Sequence, residues 1–131
     1  MARCCMLPIT SEWISKAEGD FATLQREIQV VDYPNYDGMC FHAQQCAEKY
    51  LKARLCEAGS RFGKVHDLAA LLEGVLKWEP TWEAYREDLT YLTEFSVTYR
   101  YPGECADKAT AQDAFKRSKR FRIAARQALG L

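Results

Sequence analysis

The segment CFHAQQCAEKYLKARL, from Cys40 to Leu55, decides the fold of this chain. It contains no Gly, no Pro and no β-branched residue, and its apolar residues recur at spacings of three and four, so it predicts a helix with one broad buried stripe. The stripe consists of Cys40, Ala43, Ala47, Tyr50, Leu51 and Leu55. The opposite side is polar and consists of His42, Gln45, Lys49 and Lys52. Glu48 precedes Lys52 by four residues, the favourable order for an ion pair along a helix.

A second amphipathic helix is predicted upstream of this segment. It follows Pro8, and either Thr10 or Ser11 is expected to cap its first turn. Its predicted inner face is formed by Trp13, Ala17, Phe21, Leu24, Ile28 and Val31. The stretch from Asp32 to Gly38 contains Pro, Asn and Asp, which predicts a turn that leads directly into the helix from Cys40.

Downstream, the helix from Cys40 is expected to stop near Gly59, a residue suited to a left-handed C-terminal position. Asp67 is then predicted to cap a shorter helix. The inward residues of that helix are expected to be Leu68, Leu71, Leu72, Val75 and Leu76.

Two more helices complete the pattern. One begins at Pro80 and is expected to carry Arg100 on its last turn, because Pro102 and Gly103 then break it. Its inner face is predicted to be Trp82, Tyr85, Leu89, Leu92, Phe95 and Tyr99. The last helix runs from about Ala109 to Leu129. Its inward residues are expected to be Ala111, Ala114, Phe115, Ser118, Phe121, Ala125 and Leu129.

The composition fits one folded domain. The chain has 131 residues, of which 48% are hydrophobic and 27% charged, and this is the range of globular proteins rather than disordered ones. No strand pattern competes with the helices. We therefore predict a single all-α domain over residues 1–131, folded as an antiparallel up-and-down four-helix bundle with an additional shorter helix.

Charge is balanced overall but unevenly distributed. The formal net charge is zero, yet the segment from Glu104 onward has seven Lys or Arg against three Asp or Glu. Zero net charge argues against general coating of nucleic acid and no specificity for DNA is expected, although a local phosphate site is allowed. An acidic stripe is formed by Glu79, Glu83 and Glu87, and it is either a solvated face or a surface for a basic partner helix. A basic stripe on the last helix is interpreted as a solvated face, with nucleic-acid binding as the alternative. It consists of Lys116, Arg117, Lys119, Arg120, Arg122 and Arg126.

The cysteines lie at positions 4, 5, 40, 46, 56 and 105, and no two are separated by two residues as in zinc ribbons. We therefore expect free thiols, no structural metal site and no cofactor. There is no run of 18 apolar residues, and the apolar run near the start is too short for a signal peptide. A cytoplasmic protein without membrane contact is predicted.

Three pieces of the sequence resemble the HEPN domain family (higher eukaryotes and prokaryotes nucleotide-binding). They are FHAQQCAEKYLKA from Phe41, VHDL from Val65 and YRYPGE from Tyr99, and the resemblance spans about Trp13 to Phe121. The resemblance implies an up-and-down helical bundle and a homodimer. The surplus of aromatic residues on the helix from Pro80 also suggests an apolar surface that a twofold partner would cover.

The resemblance also bears on catalysis. HEPN ribonucleases carry an arginine followed four to six residues later by a histidine, which activates the ribose 2′-hydroxyl. Arg100 aligns with that arginine, but the residues after it are YPGECADKA, without histidine. General-base help of roughly 10²- to 10⁴-fold is then missing, so we predict no nuclease of the usual kind.

The resulting hypothesis is a non-catalytic module that binds nucleotide or RNA phosphate. It would act with a small nucleotidyltransferase of the MNT type in a toxin–antitoxin-like complex, as the resemblance implies. One alternative is a metal-independent endoribonuclease that uses His66 or His42. Another is a homodimeric helical scaffold without ligand.

The candidate site is a cleft near the dimer axis. We expect it to bind phosphate, for which the planar fork of an arginine is well suited. Two structural readings stay open: Arg100 pairs with Glu48 or Glu104, and His66 only holds its loop to a neighbouring helix. The six candidate residues are Arg100, Tyr101, Lys49, Lys52, His66 and Asp67.

Overall fold

The computed structural model describes residues 6–131. That part of the chain contains five α-helices, two 3-10 helices and no strand, which confirms the all-α prediction. No described helix is both long enough and apolar enough to cross a bilayer. The α-helices are α1 (Pro8–Glu27), α2 (Tyr36–Glu57), α3 (Leu68–Val75), α4 (Arg86–Thr93) and α5 (Lys108–Ala128), and the 3-10 helices are Pro80–Tyr85 and Glu94–Ser96.

Helix α2 is the centre of the bundle. It contacts α1 along its length and also packs on α3, α4 and α5. More than half of its 22 residues are buried, including several polar ones. The Ser118 hydroxyl donates to the Ala43 carbonyl over 2.8 Å, so α5 approaches the α2 backbone closely. The predicted apolar stripe is buried throughout, and the polar side is only half-buried at His42, Gln45 and Lys49. Lys52 is the exception, because neighbouring side chains bury it.

Helix α1 begins and ends earlier than the sequence indicated. It starts at Pro8, whose fixed φ suits a first turn, and Leu7 precedes it without a side-chain cap. Neither Thr10 nor Ser11 is the cap, since both lie inside the helix, and Thr10 is buried. Val31 lies beyond the helix end and is 88% exposed, so it does not belong to the inner face.

Helix α2 starts at Tyr36, within the stretch that was expected to be a turn. The Asn35 side chain accepts a hydrogen bond from the Gly38 amide over 2.8 Å and caps the helix. A Cβ at residue 38 would lie 2.6 Å from the side-chain Nδ2 of Asn35. The Asn35 side chain could then not keep its capping position, so this cap requires glycine. The other end agrees with the prediction, because Gly59 follows the helix with a φ of 74°.

The segment from Pro80 is not one continuous helix. It forms a 3-10 helix, the short helix α4 and a second 3-10 turn that ends at Ser96. Tyr99 then has a left-handed φ of 69°, which ends any helical continuation. Arg100 consequently lies on a bend after the helix, not on its last turn as predicted.

The aromatic residues of this segment pack within one chain. Trp82 and Tyr85 both contact the Phe121 ring edge-on, and Phe95 packs between Tyr91 and Tyr99. The predicted inner face is thereby formed, with Trp82 and Phe95 buried. Tyr85, Tyr91 and Tyr99 are half-buried, so part of their surface stays open, and the homodimer inferred from it stays a prediction.

Helix α5 closes the bundle against α2 and α4. Asp107 caps it by accepting from the Thr110 amide over 2.7 Å, so it begins one residue before the predicted start. Its predicted inward residues are buried except Phe115, which is half-buried and stacks on Phe21.

We expect Phe121→Ala to lower the free energy of unfolding by about 3–5 kcal/mol, because the buried ring leaves a cavity beneath Trp82 and Tyr85. Ile123→Ala on the exposed side of the same helix is the control and should change it by less than about 0.5 kcal/mol. Urea titrations of both variants measure the difference. Equal losses would contradict the position of Phe121 in the core.

Candidate functional site

The Glu48 carboxylate is the centre of a buried polar network in α2. Glu48 is only 3% exposed. It accepts hydrogen bonds from Gln44 over 2.8 Å and from Lys52 over 3.0 Å, and Gln45 donates to Gln44 over 2.6 Å. These four polar residues of the quoted segment therefore bond to one another, and the expected pair of Glu48 with Lys52 is confirmed.

Lys52 does not face solvent. Its side chain is buried, and its ammonium lies 5.5 Å from the centre of the Trp13 ring and 5.7 Å from that of Phe62. Rings at this distance stabilise a cation through their negative faces. The charge of Lys52 is therefore satisfied by Glu48 and two aromatic rings.

His66 joins the network from the α2–α3 loop. Its Nδ1 lies 3.1 and 3.2 Å from the two carboxylate oxygens of Glu48. The carboxylate oxygens accept from Nδ1 when that nitrogen carries a proton, which in the neutral imidazole leaves Nε2 unprotonated. The side chain is 63% exposed. The contact holds the loop to α2 and also leaves the imidazole accessible.

Asp67 is engaged in the local structure of α3. Its carboxylate accepts from the amides of Ala69 and Ala70 over 3.0 and 3.3 Å, which confirms the predicted N-cap. Asp67 Oδ1 accepts both of these bonds, so the side chain is used to cap α3. Its role in the site is to fix the start of α3 next to His66.

Lys49 belongs to a separate cluster between α1 and α2. Its ammonium bonds to Asp20, which also accepts from His42 Nδ1 over 2.7 Å. Burial alone would raise the pKa of Asp20, but the hydrogen bonds from His42 and Lys49 outweigh it and the pKa lies below its ordinary value. The sequence did not single out Asp20, because its partners lie 22 and 29 residues away.

The basic residues of α5 are largely occupied by acidic partners. Arg117 and Arg120 both bond to Asp88 of α4, and Arg122 forms two hydrogen bonds of 2.7 Å with Glu18 of α1. The hydrogen bond from Arg122 is the main reason why the pKa of Glu18 is lowered. The predicted solvated stripe is thus mostly a set of interhelical ion pairs.

Arg100 and Tyr101 lie on an exposed turn at the end of the bundle where α2 and α5 begin. The Ala106 amide donates to the Asp37 carboxylate over 2.7 Å, and this bond places the segment that follows the turn at the start of α2. Within residues 6–131 the Arg100 side chain has no hydrogen bond or ion pair. Neither Glu48 nor Glu104 pairs with it, so the structural reading of Arg100 receives no support.

The six candidate residues therefore occupy three places. Glu48 brings Lys52 and His66 together, with Asp67 next to them in the chain. Lys49 bonds to Asp20 between α1 and α2. No contact within the described chain joins Arg100 or Tyr101 to the other four, so a cleft near a dimer axis that is lined by all six stays a prediction.

The two buried thiols of α2 do not add reactive groups to these places. Cys40 and Cys46 are buried and unpaired, and burial raises the pKa of both thiols to about 12. Such thiols are poor nucleophiles and poor metal ligands near neutral pH. Cys4 and Cys5 lie outside the described residues.

The profile of the HEPN domain family matches residues 10–127 of this chain. The chain belongs to the HEPN family. The resemblance that was carried by FHAQQCAEKYLKA, VHDL and YRYPGE is thereby confirmed. In this HEPN domain, the first two pieces meet at Glu48 and His66, whereas the third forms the exposed turn of Arg100.

Two solved structures have the same fold. TT1696 from Thermus thermophilus is 20% identical and has a TM-score of 0.79, with 93% of this chain and 99% of that chain covered. ST0689, an archaeal HEPN homologue, is 22% identical and has a TM-score of 0.68, with 97% and 98% covered. At these identities the likeness concerns the fold alone. A comparison with curated proteins finds no match.

We expect Glu48→Ala to destabilise the domain by about 3–5 kcal/mol, because it leaves the buried ammonium of Lys52 without its counter-charge. The double change Glu48→Leu with Lys52→Met should recover most of this loss, since apolar side chains of similar volume replace the pair. Glu12→Ala on the exposed side of α1 is the matched control and should leave the midpoint of chemical denaturation unchanged. If Glu48→Ala denatures like this control, Glu48 is not the centre of a buried network.

Proposed function

We propose that this HEPN domain is a non-catalytic module that binds the phosphate of a nucleotide or of RNA through Arg100, with Tyr101 beside it. The observation that carries the proposal is the absence of a partner for Arg100 within the described chain. A guanidinium without a carboxylate retains its five donors for a bidentate contact, which matches the geometry of phosphate.

Arg100 differs in this respect from the arginines that stabilise the bundle. Arg54 bonds to Glu79 over 2.7 Å, and Arg122 to Glu18 over 2.7 Å. Arg120 bonds to Asp88 over 2.8 Å. These guanidinium groups would have to lose an ion pair before binding a ligand. Arg100 has no such cost, and its position on an exposed turn leaves room for a bound molecule.

Binding without cleavage is supported by the positions of the histidines. None of the nine residues that follow Arg100 is a histidine. His42 and His66 both direct Nδ1 toward carboxylates of other clusters, at Asp20 and Glu48. A base within hydrogen-bond reach of a 2′-hydroxyl is required for general-base catalysis of RNA cleavage. No contact in residues 6–131 joins either histidine to Arg100.

The proposal extends to partners. Membership of the HEPN family supports a homodimer, and a complex with a small MNT-type nucleotidyltransferase that acts in a toxin–antitoxin-like pair. A gene for such an enzyme next to the gene for this chain would favour the complex. A concentration-independent monomer mass in light scattering would exclude the homodimer.

We expect Arg100→Lys to weaken binding of nucleotide or short RNA by about fivefold or more, because an ammonium cannot form the two parallel hydrogen bonds of a guanidinium. The melting temperature should stay unchanged, since Arg100 makes no contact that stabilises the fold. Titration calorimetry gives the affinity.

Arg61→Lys is the matched control. Arg61 is also exposed and unpaired within the described chain, but it lies beyond the opposite end of α2. Its substitution should leave the affinity unchanged. If the unsubstituted protein binds neither nucleotides nor RNA, the proposal is wrong and a scaffold without ligand remains.

One observation favours a second candidate function, a metal-independent endoribonuclease that uses His66. The Glu48 carboxylate orients the imidazole through Nδ1, and the exposed Nε2 could then act as a general base. A carboxylate that fixes the tautomer of a histidine in this way is a known element of catalytic sites.

The two candidates are separated by an RNA cleavage assay in the presence of a chelator. The binding proposal expects no cleavage by the unsubstituted protein. The second candidate expects cleavage that His66→Gln abolishes and that His42→Gln, the matched control on α2, leaves intact. Circular dichroism of both variants establishes that the fold persists.

A further inference from the structure

Exposed aromatic and aliphatic side chains are concentrated at the end of the bundle that carries Arg100. Tyr33 is 100% exposed and Tyr101 75% exposed, and Val31 and Val97 lie nearby in the same two loops. Tyrosine is enriched at interfaces, because its ring offers an apolar face and its hydroxyl a polar end.

The two tyrosines lie on loops that meet. The Ala106 amide donates to the Asp37 carboxylate over 2.7 Å, and this bond ties the segment before α5 to the start of α2. An open groove of about 470 Å³ lies between them, lined on one side by Tyr33 and Pro34 and on the other by Cys105. Tyr101 precedes Cys105 by four residues, so their Cα atoms are at most about 14 Å apart.

The backbone at this end is strained at two places. In the described chain, the residues other than glycine with a left-handed φ are Tyr33, at 58°, and Tyr99, at 69°. This conformation is costly for residues with a side chain. At Tyr99 the ring stacks on Phe95. Nothing in the described chain covers the ring of Tyr33, so its unusual conformation is not compensated by packing.

We propose that Tyr33 and Tyr101 form a nucleobase-stacking subsite beside Arg100, and that the ligand is a single strand of nucleic acid with at least two unpaired bases. This inference rests on the phosphate-binding function proposed for Arg100 and specifies its ligand. Stacking on exposed aromatic rings is how proteins bind single strands without reading their sequence. Paired bases in a duplex cannot reach such rings.

The local charges favour stacking over a purely electrostatic contact. The carboxylates of Asp37 and Asp107 are bonded to the amides of Ala106 and Thr110. Asp32 and Glu104 remain exposed at this end, and Lys108 lies beside the neighbouring loop. Among the described residues, four carboxylates thus lie at this end against two cations, Arg100 and Lys108. Electrostatic attraction is therefore weak, the affinity has to come from stacking, and it should depend little on salt, with a slope of about −0.7 for each phosphate contact.

The test measures fluorescence anisotropy of a labelled six-nucleotide uridine strand, with a blunt duplex of similar length and uridine monophosphate as competitors. Tyr33→Leu and Tyr101→Leu keep the apolar character and remove the ring. Each should weaken binding of the strand by about five- to a hundredfold, the range for loss of one stacked base. Tyr33→Trp should preserve binding.

Val31→Ala is the matched control, since it removes exposed apolar surface from the same loop without removing a ring, and it should bind like the unsubstituted protein. The duplex should compete poorly. The inference is overturned if the duplex competes as well as the strand, or if Val31→Ala weakens binding as much as Tyr33→Leu. It is also overturned if Tyr33→Leu changes the molar mass in light scattering but not the affinity, which would indicate a contact between protein copies.

Failure of this inference is distinct from failure of the proposed function. If Arg100→Gln weakens binding while both leucine variants bind normally, the phosphate site stands and the stacking subsite is wrong. If the unsubstituted protein binds neither the strand, nor the duplex, nor uridine monophosphate, the function proposed for Arg100 is itself wrong.

Discussion

The buried carboxylate of Glu48 connects three parts of the bundle. Its charge is tolerated in the interior because Gln44, Lys52 and His66 all bond to it, and a buried carboxylate without such partners would be strongly destabilising. Through Lys52 it reaches Trp13 of α1 and Phe62 of the α2–α3 loop. Through His66 it holds the start of the segment that leads to α3. One buried carboxylate therefore links Trp13 of α1 and the α2–α3 loop to α2, in addition to the apolar core that α1 and α2 share.

Ion pairs between helices occupy most of the basic residues that the sequence places on α5. Arg122 of α5 bonds to Glu18 of α1, and Arg117 and Arg120 bond to Asp88 of α4. These half-buried pairs orient α5 against its neighbours. They also remove most of its positive charge from the surface, which makes a broad nucleic-acid face on α5 a poor explanation of the basic run.

The turn after α4 combines three features that bear on binding. Its guanidinium has no partner in the described chain, its tyrosine is exposed, and the facing loop carries a second exposed tyrosine in a strained conformation. A cation and two aromatic rings suit a phosphate and its bases. The buried network around Glu48 and the exposed turn that carries Arg100 thus lie in different parts of the same HEPN domain.

The sequence by itself determined the presence of α1, α2, α3 and α5, most of the buried faces of α3 and α5, the end of α2 at Gly59 and the cap at Asp67, because these features depend on residues within about four positions of one another. It also determined the family, through the order of residues in α2. Only the tertiary structure decided that Lys52 is buried, that α4 is short, and that Arg122 pairs with Glu18, 104 residues away. Periodicity reports which side of a helix is apolar. It cannot report which distant carboxylate meets a given cation, or how many neighbours surround a helix, since both depend on how the helices pack together.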